Sequence, residues 1–172
     1  MQFTFVNILT IIFAVFAVAS AILMITRRSP INSALFLIVN FFCVSAIYLI
    51  LRAQFIAIIQ ILVYAGAIMV LFLFVIMLLN LTDESKLTEN ISYKKLTAII
   101  LTVLLFAVLG ITTYFAFLTK FPGISSNAEN LGTVESIGKE LYTNYSFPFE
   151  VVSFILIAAI VGAIVLAKKK FD

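Results

Sequence analysis

Five long runs of apolar residues, separated by shorter polar segments, make up most of the chain. They lie at about 3–25, 31–51, 55–79, 96–118 and 149–167. Each run is apolar on every side and long enough to cross the hydrocarbon core of a bilayer, which takes about 20 helical residues. The pattern predicts an all-α integral membrane protein with five transmembrane helices in a single transmembrane domain, 1–172.

Two of the polar segments also predict local structure. Residues 52–54 are the only link between the second and third runs, so these runs are expected to form a tight antiparallel hairpin. In the longest link, residues 133–142 place Val134, Ile137 and Leu141 on one face of a helix. This spacing predicts a short amphipathic helix that lies on the outer membrane surface.

Composition and charge narrow the classes of function. The chain has no histidine and one cysteine, so it offers no ligand set for zinc, haem or an iron–sulfur cluster. Of its eleven basic residues, eight fall on one side of the predicted membrane and three on the other. The positive-inside rule then predicts an outer N-terminus and a cytoplasmic C-terminus. We attribute the net charge of +3 to the orientation of the chain in the membrane. The expected partner is therefore the lipid bilayer and not nucleic acid.

The centres of the five runs hold polar residues but no Asp, Glu, Lys, Arg or His. Proton relays and ion pathways are built from ionisable groups, so we expect no catalytic residue in this chain alone. Burying an amide without a partner costs about 4–8 kcal/mol, so Asn40 and Gln60 should face protein or trapped water. Asn40 serves either an interhelical hydrogen bond or a water path. Thr102, Thr112 and Thr113 are expected to bond their own helix.

The third run carries the least expected residues. Gln60 and Tyr64 are four residues apart and therefore share one helical face, and Gly66 follows between two alanines. A glycine here either allows close contact with another helix or provides the freedom for a π-bulge. As an α-helix, residues 54–80 would measure about 40 Å, longer than a bilayer core of about 30 Å, so the helix must tilt or distort.

Three segments carry a resemblance to a known family. They are IQILVYAGAIMVLFLFVIMLLNL at 59–81, RRSPINSALFLI at 27–38 and GTVESIGKELYTNYSFPFEVVSFILIAAIVGAIVLAKKK at 132–170. Together they resemble subunit J, called chain 6 in mitochondria, of NADH:quinone oxidoreductase, the respiratory complex I. The resemblance extends over nearly the whole chain and is most specific in the third run.

The resemblance implies a function within a larger enzyme. Complex I couples electron transfer from NADH to quinone with proton or sodium export, and NADH, FMN, iron–sulfur clusters and quinone are bound by other subunits. This chain is then expected to hold no cofactor and no metal. The expected neighbours are subunits K, H and A and the antiporter-like N subunits. The bacterial inner membrane is favoured over the mitochondrial one as its location.

The resemblance also implies which residues take part in coupling. The third helix is expected to switch between α and π-bulged forms around Tyr64 and Gly66, which would make or break a water path. Gln60 occupies a position where some relatives carry an acid, but its amide cannot ionise. Glu150 matches the acid of the family's PFE pattern; by position alone it could equally face the helix dipole as a first-turn acid. With Asn40, these residues are the coupling and water-path candidates.

Two alternative functions stay open at this point. One is a J-like subunit of a related complex with another electron donor, or of a multisubunit cation/proton antiporter. The other is a stand-alone helical scaffold or permease, which the lack of intramembrane charge disfavours. Neighbouring genes for hydrogenase-like and NADH-binding subunits would favour complex I, and genes for antiporter subunits alone would favour the antiporter.

Overall fold

The computed structural model describes residues 2–79, 93–118 and 131–168, and this part of the chain is helical with no strand. The helices are α1 (Gln2–Thr26), α2 (Pro30–Ile50), α3 (Gln54–Leu79), α4 (Tyr93–Leu118), α5 (Val134–Thr143) and α6 (Ser146–Ala167). Helices α1, α2, α3, α4 and α6 are long and apolar enough to span a membrane. The predicted all-α fold with five such helices is therefore confirmed.

Helix α4 belongs to a separate compact unit from the other five helices. Its three threonine hydroxyls donate to carbonyl oxygens three or four residues earlier in the same helix, at 2.6–3.0 Å. The prediction for Thr102, Thr112 and Thr113 is thus confirmed. Such internal bonds satisfy the hydroxyl without a partner from another helix.

In the larger unit, α2 packs against α1 and against the beginning and middle of α3. The buried residues are mostly small: Ser20, Ala34, Cys43, Ser45, Ala57, Ala65 and Met69. Small residues let membrane helices approach closely, and van der Waals packing then replaces the hydrophobic effect as the source of cohesion. Most large apolar side chains are exposed on the surface of the unit, where lipid or other proteins can cover them.

The predicted hairpin between α2 and α3 is present and has a defined turn. Arg52 has a φ of 63°, in the left-handed region. The backbone N–H of Ala53 donates to Tyr48 at 2.9 Å, and that of Arg52 donates to Leu49 at 3.1 Å. This pair of bonds is the Schellman pattern, which satisfies the last carbonyl groups of a helix and reverses the chain.

Helix α5 is joined to this turn at its start. The backbone N–H of Phe55 donates to the carbonyl oxygen of Gly132 at 3.2 Å. A Cβ atom on Gly132 would overlap the carbonyl oxygen of Arg52 and lie 3.0 Å from its carbonyl carbon. Only glycine permits this approach, so Gly132 fixes the start of α5 against the α2–α3 turn.

The ends of α5 and α6 refine the predicted boundaries. Helix α5 lies within one residue of the expected 133–142, while its position on the outer membrane surface stays a prediction. The hydroxyl oxygen of Thr133 caps it by accepting from the N–H of Ser136 at 3.2 Å. Helix α6 starts at Ser146, three residues before the predicted 149. The interpretation of Glu150 as a first-turn acid is therefore wrong, because Glu150 is the fifth residue of α6.

Candidate functional site

The centre of α3 is a nine-residue π-helix, Gln60–Ile68. At its end the N–H of Met69 donates to the carbonyl oxygen of Tyr64, five residues earlier. The α-helical residues Gln54–Ile59 precede the segment and Met69–Leu79 follow it. π-Helical hydrogen bonding is rare and often occurs at functional sites. It places Gln60, Tyr64 and Gly66 of the predicted site in one irregular segment.

Gly66 is located where a side chain would crowd the π-helical backbone. A Cβ atom there would lie 3.3 Å from the carbonyl oxygen of Ile61, which is five residues earlier. The adjoining Ala65 is buried, while Gly66 is half-buried. The lack of a side chain at Gly66 therefore keeps the wide turn free of a close contact between Cβ and a carbonyl oxygen.

Tyr64 is held at its ring and open at its hydroxyl. Its ring meets the ring of Phe41 from α2 edge to face, with centroids 5.9 Å apart and planes at 68°. This arrangement suits the aromatic quadrupole. The side chain is 47% exposed. Within the described part of the chain, neither the Tyr64 hydroxyl nor the Gln60 amide makes a hydrogen bond, so both are open to water or to another subunit.

Ser45 and Ala57 connect α2 to the first part of α3. The Ser45 hydroxyl donates to the Ala57 carbonyl oxygen at 2.9 Å, and both residues are 1% exposed. The sequence analysis did not find this contact. A signal was available, because serine and alanine are typical of close interfaces between membrane helices, but the pattern does not show which small residues meet.

Asn40 connects α2 to α1. Its side-chain nitrogen donates to the carbonyl oxygen of Ala17 at 2.7 Å and to the hydroxyl oxygen of Ser20 at 3.2 Å. Ser20 in turn donates to the Ala17 carbonyl oxygen at 2.9 Å. Of the two interpretations of Asn40, this geometry supports the interhelical hydrogen bond, and it shows Ser20 as a partner that the sequence analysis missed.

Glu150 lies apart from the π-helical segment. It is exposed, and within its unit α6 packs against α5 and not against α3. Near it, the rings of Tyr142 and Phe149 meet at a centroid distance of 5.0 Å. Across the described ranges, no three histidine, cysteine, aspartate or glutamate side chains come close enough to hold a metal ion.

Comparison of the sequence with known proteins identifies the family to which this chain belongs. Residues 20–166 match the family model of NADH-ubiquinone/plastoquinone oxidoreductase chain 6. The chain belongs to this family. The match includes α2, α3 and α5, and therefore the whole π-helical segment.

Relatives in the chain 6 family agree over most of their length. The chain is 35% identical over 169 residues to NADH-quinone oxidoreductase subunit J of Rickettsia prowazekii, covering 94% of this chain and 80% of the relative. It is 38% identical over 164 residues to NADH-ubiquinone oxidoreductase chain 6 of Chondrus crispus, covering 90% and 79%. It is 36% identical over 146 residues to chloroplastic NAD(P)H-quinone oxidoreductase subunit 6 of Marchantia polymorpha, covering 81% and 76%.

Family membership and the apolar helices have a direct consequence. The chain is an integral membrane subunit of an NADH-quinone oxidoreductase complex, and other subunits of that complex are its partners. The resemblance found in the sequence is thereby confirmed.

Proposed function

We propose that this chain couples quinone reduction to proton translocation without taking part in the chemistry itself. Electrons would pass from NADH through FMN and iron–sulfur clusters to quinone in other subunits. The neighbours would be subunits K, H and A and the antiporter-like N subunits, in a bacterial inner membrane. This chain would supply a helix with two conformations that opens or closes a water path.

The observation that carries this proposal is the π-helix Gln60–Ile68 in the middle of a helix long enough to span the membrane. A π turn contains more residues than an α turn. When a π turn loses its extra residue and becomes an α turn, the residues beyond it rotate about the helix axis. In a helix with 3.6 residues per turn, one residue corresponds to a rotation of about 100°. A change between the two forms would therefore turn side chains such as Tyr64 toward or away from a neighbouring subunit.

Each candidate residue has a separate role in this proposal. Gly66 leaves the backbone free to adopt the π form, because a Cβ atom would approach the Ile61 carbonyl oxygen. Tyr64 offers to water a hydroxyl that makes no hydrogen bond to the described residues, while its ring is held by Phe41. Gln60 offers an amide that can order water but cannot carry charge. Asn40 holds α1 and α2 together through its bonds to Ala17 and Ser20.

The assignment to a complex can be tested on native membranes. We would tag this chain, extract the membranes in mild detergent, separate the particles on a native gel and stain for NADH dehydrogenase activity. The proposal expects the tag and the activity in one very large particle. A large particle with the tag but without NADH activity would instead indicate another electron donor or an antiporter assembly.

The coupling role can be tested with Tyr64→Phe, which keeps the ring against Phe41 and removes the hydroxyl. We expect near-normal assembly and electron transfer, with fewer protons translocated per electron pair, because the water path loses a hydrogen-bonding group. The measurement is proton uptake against NADH oxidation in inverted membrane vesicles. An unchanged ratio would remove Tyr64 from the path.

Glu150 has a proposed role at a contact with another subunit. It is exposed on α6 and makes no ion pair or hydrogen bond within the described residues. A carboxylate near a membrane needs water or an opposite charge, so a neighbouring subunit is the expected partner. Glu150→Gln should lower assembly or quinone-linked activity, as measured by the native gel and by quinone reduction. Normal values of both would contradict this role.

A further inference from the structure

An apolar groove runs between the start of α2 and the later part of α3. Its lining residues, which define the apolar groove, are Ile31, Leu35, Val70, Leu73, Phe74 and Met77, and its volume is about 360 Å³. All six side chains are hydrocarbon or thioether groups. The groove therefore suits an apolar occupant such as an acyl chain and offers nothing to a polar one.

A second cavity lies at the same end of the hairpin and contains a positive charge. Its volume is about 300 Å³, and Met24, Ala34, Leu37, Phe72 and Arg27 are among the residues that line it. The Ser33 hydroxyl that also lines it donates to the carbonyl oxygen of Met24. Among the described residues of this lining, Arg27 therefore supplies the side-chain donors that have no hydrogen-bond partner in the described part of the chain.

The position of the Arg27 guanidinium is defined by a neighbouring ring. It lies 5.4 Å from the centroid of Phe36, within the range of a cation–π contact. Arg28 follows it, and neither arginine forms an ion pair with any residue that the structure describes. Thus Arg27, which lines the second cavity, and Arg28, the next residue along the chain, are two positive charges without a counter-charge among the described residues.

We propose that this region binds an anionic phospholipid, with its phosphate on Arg27 and Arg28 and one acyl chain in the apolar groove. A guanidinium suits a phosphate because it can donate two parallel hydrogen bonds. The positive-inside rule places these arginines at the cytoplasmic leaflet, where anionic lipids attract basic residues. A helix of another subunit could also fill the groove, but it would leave both guanidinium groups without a counter-charge unless it carried an acid.

The site differs from the proposed coupling residues. It lies at the open end of the α2–α3 hairpin, where the start of α2 faces the part of α3 beyond the π-helix. None of Gln60, Tyr64 or Gly66 lines it. An acyl chain there would fill the space between these helices. The inference does not rest on the coupling roles proposed for these three residues.

The first test uses the intact purified complex and a phosphatidylglycerol with a photoactivatable acyl chain. We expect cross-links on the peptides that contain Leu35 and Leu73, identified by mass spectrometry. Vesicles of phosphatidylglycerol should compete about thirtyfold better than vesicles of phosphatidylcholine, as two basic residues near the lipid surface imply. Equal competition by both lipids, or cross-links found only on other subunits, would overturn the proposal.

Variants separate the phosphate from the acyl chain. Arg27→Gln and Arg28→Gln should each lower the preference for phosphatidylglycerol about fivefold, whereas Arg52→Gln, at the opposite end of α2, should leave it unchanged. Leu73→Trp should fill the groove and abolish cross-linking. If Leu73→Trp prevents assembly, the arginine variants decide. An unchanged preference in both, or an equal loss in Arg52→Gln, would overturn the site.

Discussion

The two parts of α3 on either side of the π-helix are held very differently. In the first part, Gln54–Ile59, the Ala57 carbonyl oxygen accepts the Ser45 hydroxyl, and the N–H of Phe55 donates to Gly132. In the second part, Met69–Leu79, Met69 is the one buried residue. The rest is half-buried or exposed, and part of it borders the apolar groove.

This difference indicates which part of the helix can move. The first part is fixed to α2 and to the start of α5, so it cannot turn without breaking two hydrogen bonds between segments. If the π-helix changed to an α-helix, the rotation would have to be taken up by the second part, since little within the described chain opposes it. Mutations on the two sides of the π-helix should therefore have different consequences.

The largest effect is expected where the first part is fixed. Gly132→Ala would force a Cβ atom against the backbone of Arg52 and Ala53, which cannot yield as a flexible side chain can. Overpacking costs about 1–3 kcal/mol, and more where backbone must shift. We expect a lower melting temperature of the purified complex and faster proteolysis near α5.

The matched control for Gly132→Ala is Gly138→Ala, in α5. Outside its own stretch of helix, no atom of the described residues lies within 4 Å of a Cβ built there, so stability should be unchanged or slightly raised by the helix propensity of alanine. Equal stability of the two variants would show that the close approach to Arg52 does not hold α3.

A smaller effect on stability but a clear effect on coupling is expected from Gly66→Val. Its Cβ atom would lie 3.3 Å from the Ile61 carbonyl oxygen in the π form. At the low end of overpacking costs, about 1 kcal/mol, the balance would move about fivefold away from that form. We expect proton translocation per NADH to fall more than assembly does, measured in inverted vesicles.

Gly162→Val, in α6, is the control for Gly66→Val. Apart from its own stretch of helix, none of the described residues has an atom within 4 Å of a Cβ at Gly162, so this variant introduces the same side chain without crowding a neighbouring segment. Loss of coupling in both variants, or in neither, would argue against a specific need for glycine in the π-helical segment.

The smallest effect is expected from Ser45→Ala, which removes the hydrogen bond to Ala57. Hydrogen bonds between membrane helices contribute about 0.6 kcal/mol on average, so we expect a small loss of thermal stability with normal coupling. Ser153→Ala provides the comparison, because Ser153 donates within its own helix, to Phe149 at 3.2 Å. Identical melting temperatures would mean that packing, not this bond, fixes the first part of α3.

Much of the fold and part of the site could be predicted from the sequence. The five spans were predicted with ends within three residues. The coupling roles of Gly66 and Tyr64, which lie in the irregular part of α3, stay predictions. The start of α6 was placed too late, because Pro148 and two phenylalanines follow Ser146 without a clear polar boundary. That error put Glu150 in the first turn of the helix.

The sequence by itself determined that this chain is a set of membrane helices. A bilayer requires about 20 apolar residues per helical span, and this length is visible in the sequence. Because backbone groups in lipid must bond within their own segment, such a span must be a helix. It also determined the family, through segments that match over most of the chain.

Only the tertiary structure decided which faces of the helices meet. A helix that is apolar all round has no polar face to show its orientation, because lipid and the helix interface are almost equally apolar. The partners of Asn40, the bond between Ser45 and Ala57, and the approach of Gly132 to Arg52 therefore could not be read from residue types. These contacts fix one end of α3 and leave the other open.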